Sequence, residues 1–487
     1  MDSVGDGISR YLSWISSWKQ GKGIYGGLHV HSCWKVSSVL EKKYQGVTVS
    51  EYFGLIRGFL NLYSKTGYEY FLLDAKAMCD ALCSLLGSDG CFEHSVYEFE
   101  PGRGGCIHNA LADLALLSFA EALVDENKDP DPYLKTVEKN FEWFMSYWWK
   151  RGNAWLKNPS FPCWCGVTNQ DLAVCWAMAL YGELKDRKYW EEYGSRVAYW
   201  YLENYFLPEY KCFLRGDEPD FPEPAPYHGL ISYELIELYK LTRDSLFLKR
   251  ALDVIGYLYE NSWVDKYGLR RIHHNIDLKT GRVSLKPSLV TQGSLICALE
   301  ELEDLGVDRF KEFKEELVKT LLFYQSGRGY FRNSTDFNNF FDIVSRMCPG
   351  EFEALTAIWR GGSLQLESEY ALSIDFSGKY VWFDSDCCWE LRGDNRAVYG
   401  LKHMSNGVFS GSIFGNNVQV SMKNNFIVLE LDLPKYSSVC LDYVLDQNML
   451  LRVKLTSPLK LGIKLWDGRR LCLDLSKGVH EISSSSL

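Results

Sequence analysis

A unit of about sixty residues recurs along the first three-quarters of the chain, and a repeat of that length means stacked supersecondary units. Each unit opens with a helix that carries polar residues at its start. A short Asp/Lys/Gly turn and a second, aromatic-rich helix follow. The unit closes on an aromatic residue beside Gly. The closing positions are Phe92, Trp155, Phe213, Leu269 (aliphatic) and Phe331, spaced 63, 58, 56 and 62. The opening polar positions line up as Glu51, Asn109, Asn169, Tyr227 and Gln292, spaced 58, 60, 58 and 65. The unit reads as a helical hairpin, and hairpins closed into a ring bring their opening residues to one mouth.

Apolar periodicity separates two kinds of helix. Val49, Tyr52, Phe53, Leu55, Ile56, Phe59 and Leu60 recur at helical spacing. Partner segments lie at roughly 68–86, 107–124 with 131–150, 169–184 with 188–206, 227–241 with 245–261, and 289–304 with 308–325. One further helix is expected near the start (roughly 8–19) and one near 350–360. The first helix of a pair is apolar almost all round, as from Ile107 to Leu117, whereas its partner carries Lys135, Glu138, Lys139 and Glu142 on one face. A helix apolar on every face is buried on every face. The pattern predicts a mainly α domain over 1–363, an α/α toroid of about five to six hairpins. After about residue 363 the period changes to two, in Ser368–Phe376, Val408–Phe414, Val418–Met422 and Ile427–Leu433. Residues 364–487 therefore read as an all-β domain of nine to ten strands, an antiparallel β-sandwich.

The 487 residues carry 53 basic and 63 acidic side chains, a net charge of −10, with no basic run. That composition predicts no nucleic-acid partner and no anionic membrane partner. No stretch of about eighteen uncharged apolar residues stands out as a span. Fifteen scattered Cys and an N-terminus without an apolar leader read as reduced thiols in a cytoplasmic protein. Aromatics make up 15% of the chain, which suits cleft walls that hold flat amphipathic ligands such as sugar rings.

The residues gathered at the mouth would be His108, Asn109, Asp113, Thr168, Asn169, Gln170, Asp171, Tyr227, His228 and Gln292. Helix N-termini add free N–H groups and partial positive charge there, which favour anions. Thr168-Asn-Gln-Asp171 also reads as a simple helix cap. Pro224-Ala-Pro-Tyr227-His228 stiffens the entry to its helix. Arg271 and His273 follow in the next loop, with Arg270 and His274 beside them. His29-Val-His31 and His273-His274 are the only His pairs close in sequence, and neither has metal-site spacing, so no metal or other cofactor is expected.

An Asn at the start of one inner helix, and a Tyr-His pair at the start of the next after an acidic, Pro-containing loop, resemble the heparinase II/III and alginate-lyase group of polysaccharide lyases. That group joins an α/α toroid to a β-sandwich in the same order. The resemblance implies a lyase that cleaves uronate-containing glycans by β-elimination. Asn169 would neutralise the uronate carboxylate, Tyr227 would move the proton, and His228 would match the residue after it. Gln170 stands where the group often carries His, and His403 is the only β-domain His before the tail.

Two other readings stay open. A glycoside hydrolase on the same scaffold needs two carboxyls across the scissile bond, from Asp113, Asp171, Asp220 or Glu223. A non-catalytic glycan-binding or assembly protein needs only a concave surface. All three readings take a poly- or oligosaccharide as partner, and none fixes an oligomeric state.

Overall fold

The computed structural model describes residues 4–16, 19–21, 23–25, 49–93, 105–147, 167–216, 221–265, 268–273, 275–283, 292–325, 329, 331, 349–362 and 364. It also describes strands between 371 and 483, with side chains there only from 473 to 482. The helices among these residues are α1 (Val4–Ser16), α2 (Glu51–Thr66), α3 (Glu69–Ser84), α4 (Cys106–Asp125), α5 (Asp131–Tyr147) and α6 (Thr168–Leu184). They continue with α7 (Ser195–Asn204), α8 (Ala225–Thr242), α9 (Ser245–Glu260), α10 (Gln292–Asp304), α11 (Lys311–Tyr324) and α12 (Pro349–Ile358).

Six of them form a closed ring. Helices α2, α4, α6, α8, α10 and α12 each pack on the next, and α12 packs back on α2. The partners α3, α5, α7, α9 and α11 lie outside, against the inner helices that precede them. Sequence explains the two layers. Helix α4 buries residues on every face, from Cys106 and Ala110 through Leu114, Leu117 and Leu123. By length and composition it would also pass for a membrane span, but 72% of that window is buried inside the protein, as an inner helix requires. Helix α5 buries one face, Tyr133, Leu134, Val137, Asn140, Phe141, Trp143 and Phe144, and exposes Lys135 and Lys139.

The ring closes with material from both ends of the repeat. Helix α1 packs on α12 and so takes the outer place of the last inner helix. The Tyr11 ring stacks on Phe352 with centroids 4.5 Å apart. Gln325, just past α11, donates to the carbonyl of Gly7 at 2.8 Å and accepts from Arg10 at 2.6 Å. On the inner side α2 and α12 approach so closely that a Cβ on Gly58 would lie 2.4 Å from the Phe352 ring.

The inner helices run parallel around the ring, because like ends meet. Lys240 of α8 bridges Glu237 and Glu301 of α10 at 2.8 and 2.7 Å near their C-termini. Lys65 of α2 donates to the carbonyl of Thr356 at the end of α12 at 2.6 Å, where a cation complements the helix dipole. At the other ends, a Cβ on Gly293 of α10 would lie 2.2 Å from the carbonyl of Gly350 in α12.

The C-terminal strands pair into two six-stranded sheets. One runs in the order Cys388–Arg392, Tyr380–Asp384, Ala371–Ser377, Ser438–Leu445, Leu459–Leu465, Arg470–Leu475. The other runs Leu401–Met404, Val408–Ile413, Asn416–Lys423, Phe426–Leu431, Leu450–Leu455, Gly478–Ser483. Not every neighbour is antiparallel, contrary to the sequence expectation. Ser438–Leu445 runs parallel to both Ala371–Ser377 and Leu459–Leu465, and Phe426–Leu431 runs parallel to Leu450–Leu455. The reason is topological. From Phe426 to Leu465 successive strands alternate between the sheets, so neighbours there are joined through a strand of the other sheet, while six strands separate Ala371–Ser377 from Ser438–Leu445; both are the long crossovers that parallel pairing requires.

Candidate functional site

The two ends of the ring differ in the chain that crosses them. Inner helices join their outer partners through the short stretches Thr66 to Glu69, Asp125 to Asp131, Thr242 to Ser245 and Asp304 to Asp308. Outer helices join the next inner helix through the long stretches Ser84 to Cys106, Tyr147 to Thr168, Asn204 to Ala225, Glu260 to Gln292 and Tyr324 to Pro349. Long connections carried on a rigid scaffold are where binding residues concentrate. They all arrive at the N-termini of the inner helices.

One long connection is described on both sides of its tip. Residues 213–215 and 221–223 form a short antiparallel hairpin, with Glu223 N–H donating to Phe213 at 2.8 Å and Arg215 N–H to Phe221 at 2.9 Å. It is bolted to two inner helices. Thr168 at the start of α6 donates its hydroxyl to the carbonyl of Leu214 and its N–H to that of Arg215. His228 in the first turn of α8 accepts the N–H of Phe213 at 2.9 Å.

The hairpin carries a polar cluster to the seam between α6 and α8. The Arg215 guanidinium donates to Glu223 at 2.8 Å and lies over the Tyr227 ring, 5.3 Å from its centroid. Glu223 is wholly buried, whereas Tyr227 is half-buried. Asn169 follows Thr168 and is buried, and its Oδ1 has no hydrogen-bond partner among the described residues. Such an amide oxygen costs free energy unless something binds it. Asn169 stands seven residues before Trp176 on α6, so the two share a face. Trp176 meets Phe53 and Tyr233, from α2 and α8, inside the ring.

The other expected site residues are held in other ways. Asn109, Asp171 and His228 are each the fourth residue of their helices, α4, α6 and α8. This is the structural register of the repeat, and it replaces the alignment of Asn109 with Asn169 and Tyr227. Asn109 accepts from Phe92 N–H at 3.1 Å and from Asn140 of α5 at 2.9 Å, and donates to Gly105 at 2.8 Å. Asp171 accepts the hydroxyl of Tyr201 in α7 and lies 3.8 Å from the Cys106 thiol. His228 packs edge-on against Tyr257 of α9. Burial, and then the nearby His273, push its imidazole down to about 3, so the ring is neutral. With Nε2 accepting, the proton sits on Nδ1.

Asp113 is wholly buried, neither of its oxygens has a partner among the described residues, and burial pushes its carboxyl well above the usual range. His108 is hydrogen-bonded through Nδ1 to Ser50 at 2.7 Å. Gln170 is half-buried, and Gln292 is buried at the start of α10. Arg271 is buried and donates to Asp265 at 2.8 Å, while the His273 ring meets the Tyr257 hydroxyl at 2.7 Å. His403 pairs with Phe409 in the second sheet, and its side chain lies outside the described residues. Asp220, His29, His31, Trp155 and His274 also lie outside them.

The centre of the ring holds an ion pair that repeat periodicity does not single out. Arg57 of α2 donates to Glu353 of α12 at 2.6 Å, to the Tyr233 hydroxyl, and to Ser118 of α4 at 3.3 Å. Tyr233 in turn donates to Glu353 at 2.9 Å. Burial alone would lower the guanidinium pKa, but Tyr233 and Glu353 outweigh it and hold Arg57 charged. The sequence signal was a lone charge inside an apolar inner helix.

Neither a family model nor a curated protein matches the sequence. Among solved structures the chain is similar to a D-mannose isomerase, with a TM-score of 0.53 and 11% identity over 73% of this chain and 98% of that one. It is similar to a cellobiose 2-epimerase from Bacillus thermoamylovorans, with a TM-score of 0.53 and 14% identity over 71% and 94%. A family 76 glycoside hydrolase from a bovine Bacteroides thetaiotaomicron strain gives 0.54 and 13% over 74% and 78%. At such identities the likeness is one of fold, and one fold hosts many reactions. The helical part of this chain is an α/α toroid of the kind that these carbohydrate-active enzymes share.

Proposed function

We propose that the chain is a carbohydrate-active enzyme whose site lies at the seam between α6 and α8, and that it cleaves uronate-containing poly- or oligosaccharides by β-elimination. One observation carries this reading: Asn169, buried at the start of α6, and Tyr227, under the Arg215 guanidinium, stand at neighbouring inner-helix starts joined by one bolted hairpin. The names of the similar structures, a mannose isomerase, a cellobiose epimerase and a glycoside hydrolase, support a saccharide as substrate.

The chemistry follows from the groups. The proton at C5 of a uronate is weakly acidic until the carboxylate beside it is neutralised. The side-chain NH2 of Asn169 supplies donors for that purpose, since the N–H groups of Thr168, Gln170 and Asp171 are already bonded to Arg215 and Val167. Tyr227, deprotonated, takes the C5 proton, the C4–O bond breaks, and the electron pair closes a C4–C5 double bond. The leaving oxygen takes its proton from the Tyr227 phenol just formed or from water. The guanidinium over the Tyr227 ring stabilises negative charge on the phenol. Residues 364–487 complete the reading as a β-sandwich built from the two sheets.

The hydrolase reading keeps one supporting observation: Glu223 is a buried carboxyl at the same seam. Incubation with a panel of uronate polysaccharides separates the two reactions. Ultraviolet absorbance of an unsaturated uronate, appearing together with new reducing ends, supports elimination. New ends without absorbance sink it in favour of hydrolysis. Tyr227→Phe should then abolish elimination while leaving glycan binding nearly intact, and unchanged turnover would remove Tyr227 from the mechanism. Asp171→Asn should stop a hydrolase that uses that carboxyl, but in a lyase it should only loosen the tie to Tyr201.

A further inference from the structure

We infer that Phe221 is a sugar-stacking residue, presenting its ring at the mouth to the apolar face of a pyranose bound beside Tyr227. This inference rests on the carbohydrate reading above and names a binding residue that neither the repeat nor that reading supplies. Phe221 stands directly opposite Arg215 in the antiparallel hairpin, so the two side chains leave the same face. Phe213 and Glu223 occupy that face one step towards the base and are wholly buried. Arg215 covers the Tyr227 ring. Phe221 therefore adjoins the proposed reacting group, and yet it is 39% exposed.

An exposed phenyl ring on a loose loop would carry no weight, since single exposed apolar residues are common. Here the ring sits on a pedestal. The hairpin backbone is hydrogen-bonded to Thr168 of α6, to His228 of α8 and, through Leu214 N–H, to the carbonyl of Tyr205 after α7 at 2.8 Å. The backbone that carries the ring is thus set before any ligand arrives, which lowers the ordering cost of binding. A pyranose offers a face of C–H groups with hydroxyls at its edge. That face suits an aromatic ring, and the edge suits the neighbouring guanidinium and amide.

The test uses the full chain and three proteins: wild type, Phe221→Ala and Phe221→Trp. Each is run by affinity electrophoresis in gels holding alginate, heparin, polygalacturonate or mannan, and each is melted alone. The inference expects wild type to be retarded by at least one polymer. It expects Phe221→Ala to bind that polymer about ten-fold more weakly, the scale of one lost aromatic stack, with Phe221→Trp binding as well as wild type and melting temperatures unchanged. Where wild type turns over that polymer, Phe221→Ala should raise KM with little change in kcat. Retardation of Phe221→Ala equal to that of wild type overturns the stacking role and leaves the carbohydrate reading standing. Wild type that is retarded by none of the polymers overturns both.

Discussion

The imidazole of His228 accepts the main-chain N–H of Phe213 at 2.9 Å. The same relation recurs two repeats earlier, where Asn109 accepts the N–H of Phe92 at 3.1 Å. In both places the aromatic that closes one repeat is tied to the fourth residue of the next inner helix. The tie lets a long connection leave the outer layer and still deliver its residues to a fixed point at the mouth. For His228 that point is the hairpin bearing Arg215, Phe221 and Glu223. His228 is thus a positioning residue for the proposed site.

A neutral, buried His228 makes stability depend on pH with a definite sign. The imidazole pKa falls from 6.5 to about 3 on folding. Between those values the unfolded chain binds a proton that the folded chain does not, so stability is full above 6.5 and is lost as pH falls towards 3. His228→Asn keeps a side-chain acceptor, as Asn109 does, and removes the titration. Urea midpoints at about pH 7.5 and about pH 5 should show wild type losing more than the variant. Equal losses would mean that His228 is protonated in the folded state.

Gly58 should tolerate no side chain. Its missing Cβ would fall 2.4 Å from the Phe352 ring, which cannot retreat because Tyr11 stacks on it and Phe59 meets its edge. Gly58→Ala is expected to destabilise by about 1–3 kcal/mol through overpacking at the closing seam. Adding Phe352→Leu should make the double variant less unstable than the sum of the singles, because the two sites share one space. Strict additivity in thermal melts would separate the two sites.

Much of the ring was legible in the sequence, and the rest was hidden for identifiable reasons. The contrast between the all-apolar α4 and the one-sided α5 encodes two helical layers directly. The partner of α12 is not encoded locally, since α1 comes from the far end of the chain and meets α12 through contacts such as the Tyr11–Phe352 stack. Repeat positions aligned by residue type put Asn109 with Asn169, although Asp171 and His228 occupy its structural place. Hydrogen-bonding an outer helix or a closing aromatic asks only for a suitable polar side chain, so amide, carboxylate and imidazole interchange there. Period-two alternation identifies strands but not their neighbours, so it does not distinguish the parallel pairs from the antiparallel ones.

The Arg57–Glu353 pair should behave as a buried ion pair that spans the closing seam. Glu353 is buried and the Arg57 side chain is 17% exposed. Removing one partner leaves the other charge without compensation, so Glu353→Leu should cost about 3–5 kcal/mol. Arg57→Met together with Glu353→Leu should recover much of that loss, because two apolar chains need no partner. Denaturant unfolding of the three variants checks this, and a double variant less stable than Glu353→Leu alone would refute it.

Asp113 gives the opposite pH slope to His228. Its carboxyl is buried with neither oxygen partnered among the described residues, and burial raises its pKa well above 3.8. The folded chain keeps the proton that the unfolded chain loses, so the contribution is full below 3.8 and is lost as pH rises towards the folded value. Asp113→Asn keeps the shape and never ionises. Relative to wild type, the variant should gain stability as pH rises above 3.8 towards the folded value of Asp113, as read from urea midpoints. The same series bears on the hydrolase reading, in which Asp113 would be an ionised base or a titrating acid open to substrate. A stability difference that stays constant across the range would mean that Asp113 is already ionised in the fold, with water or a cation reaching it.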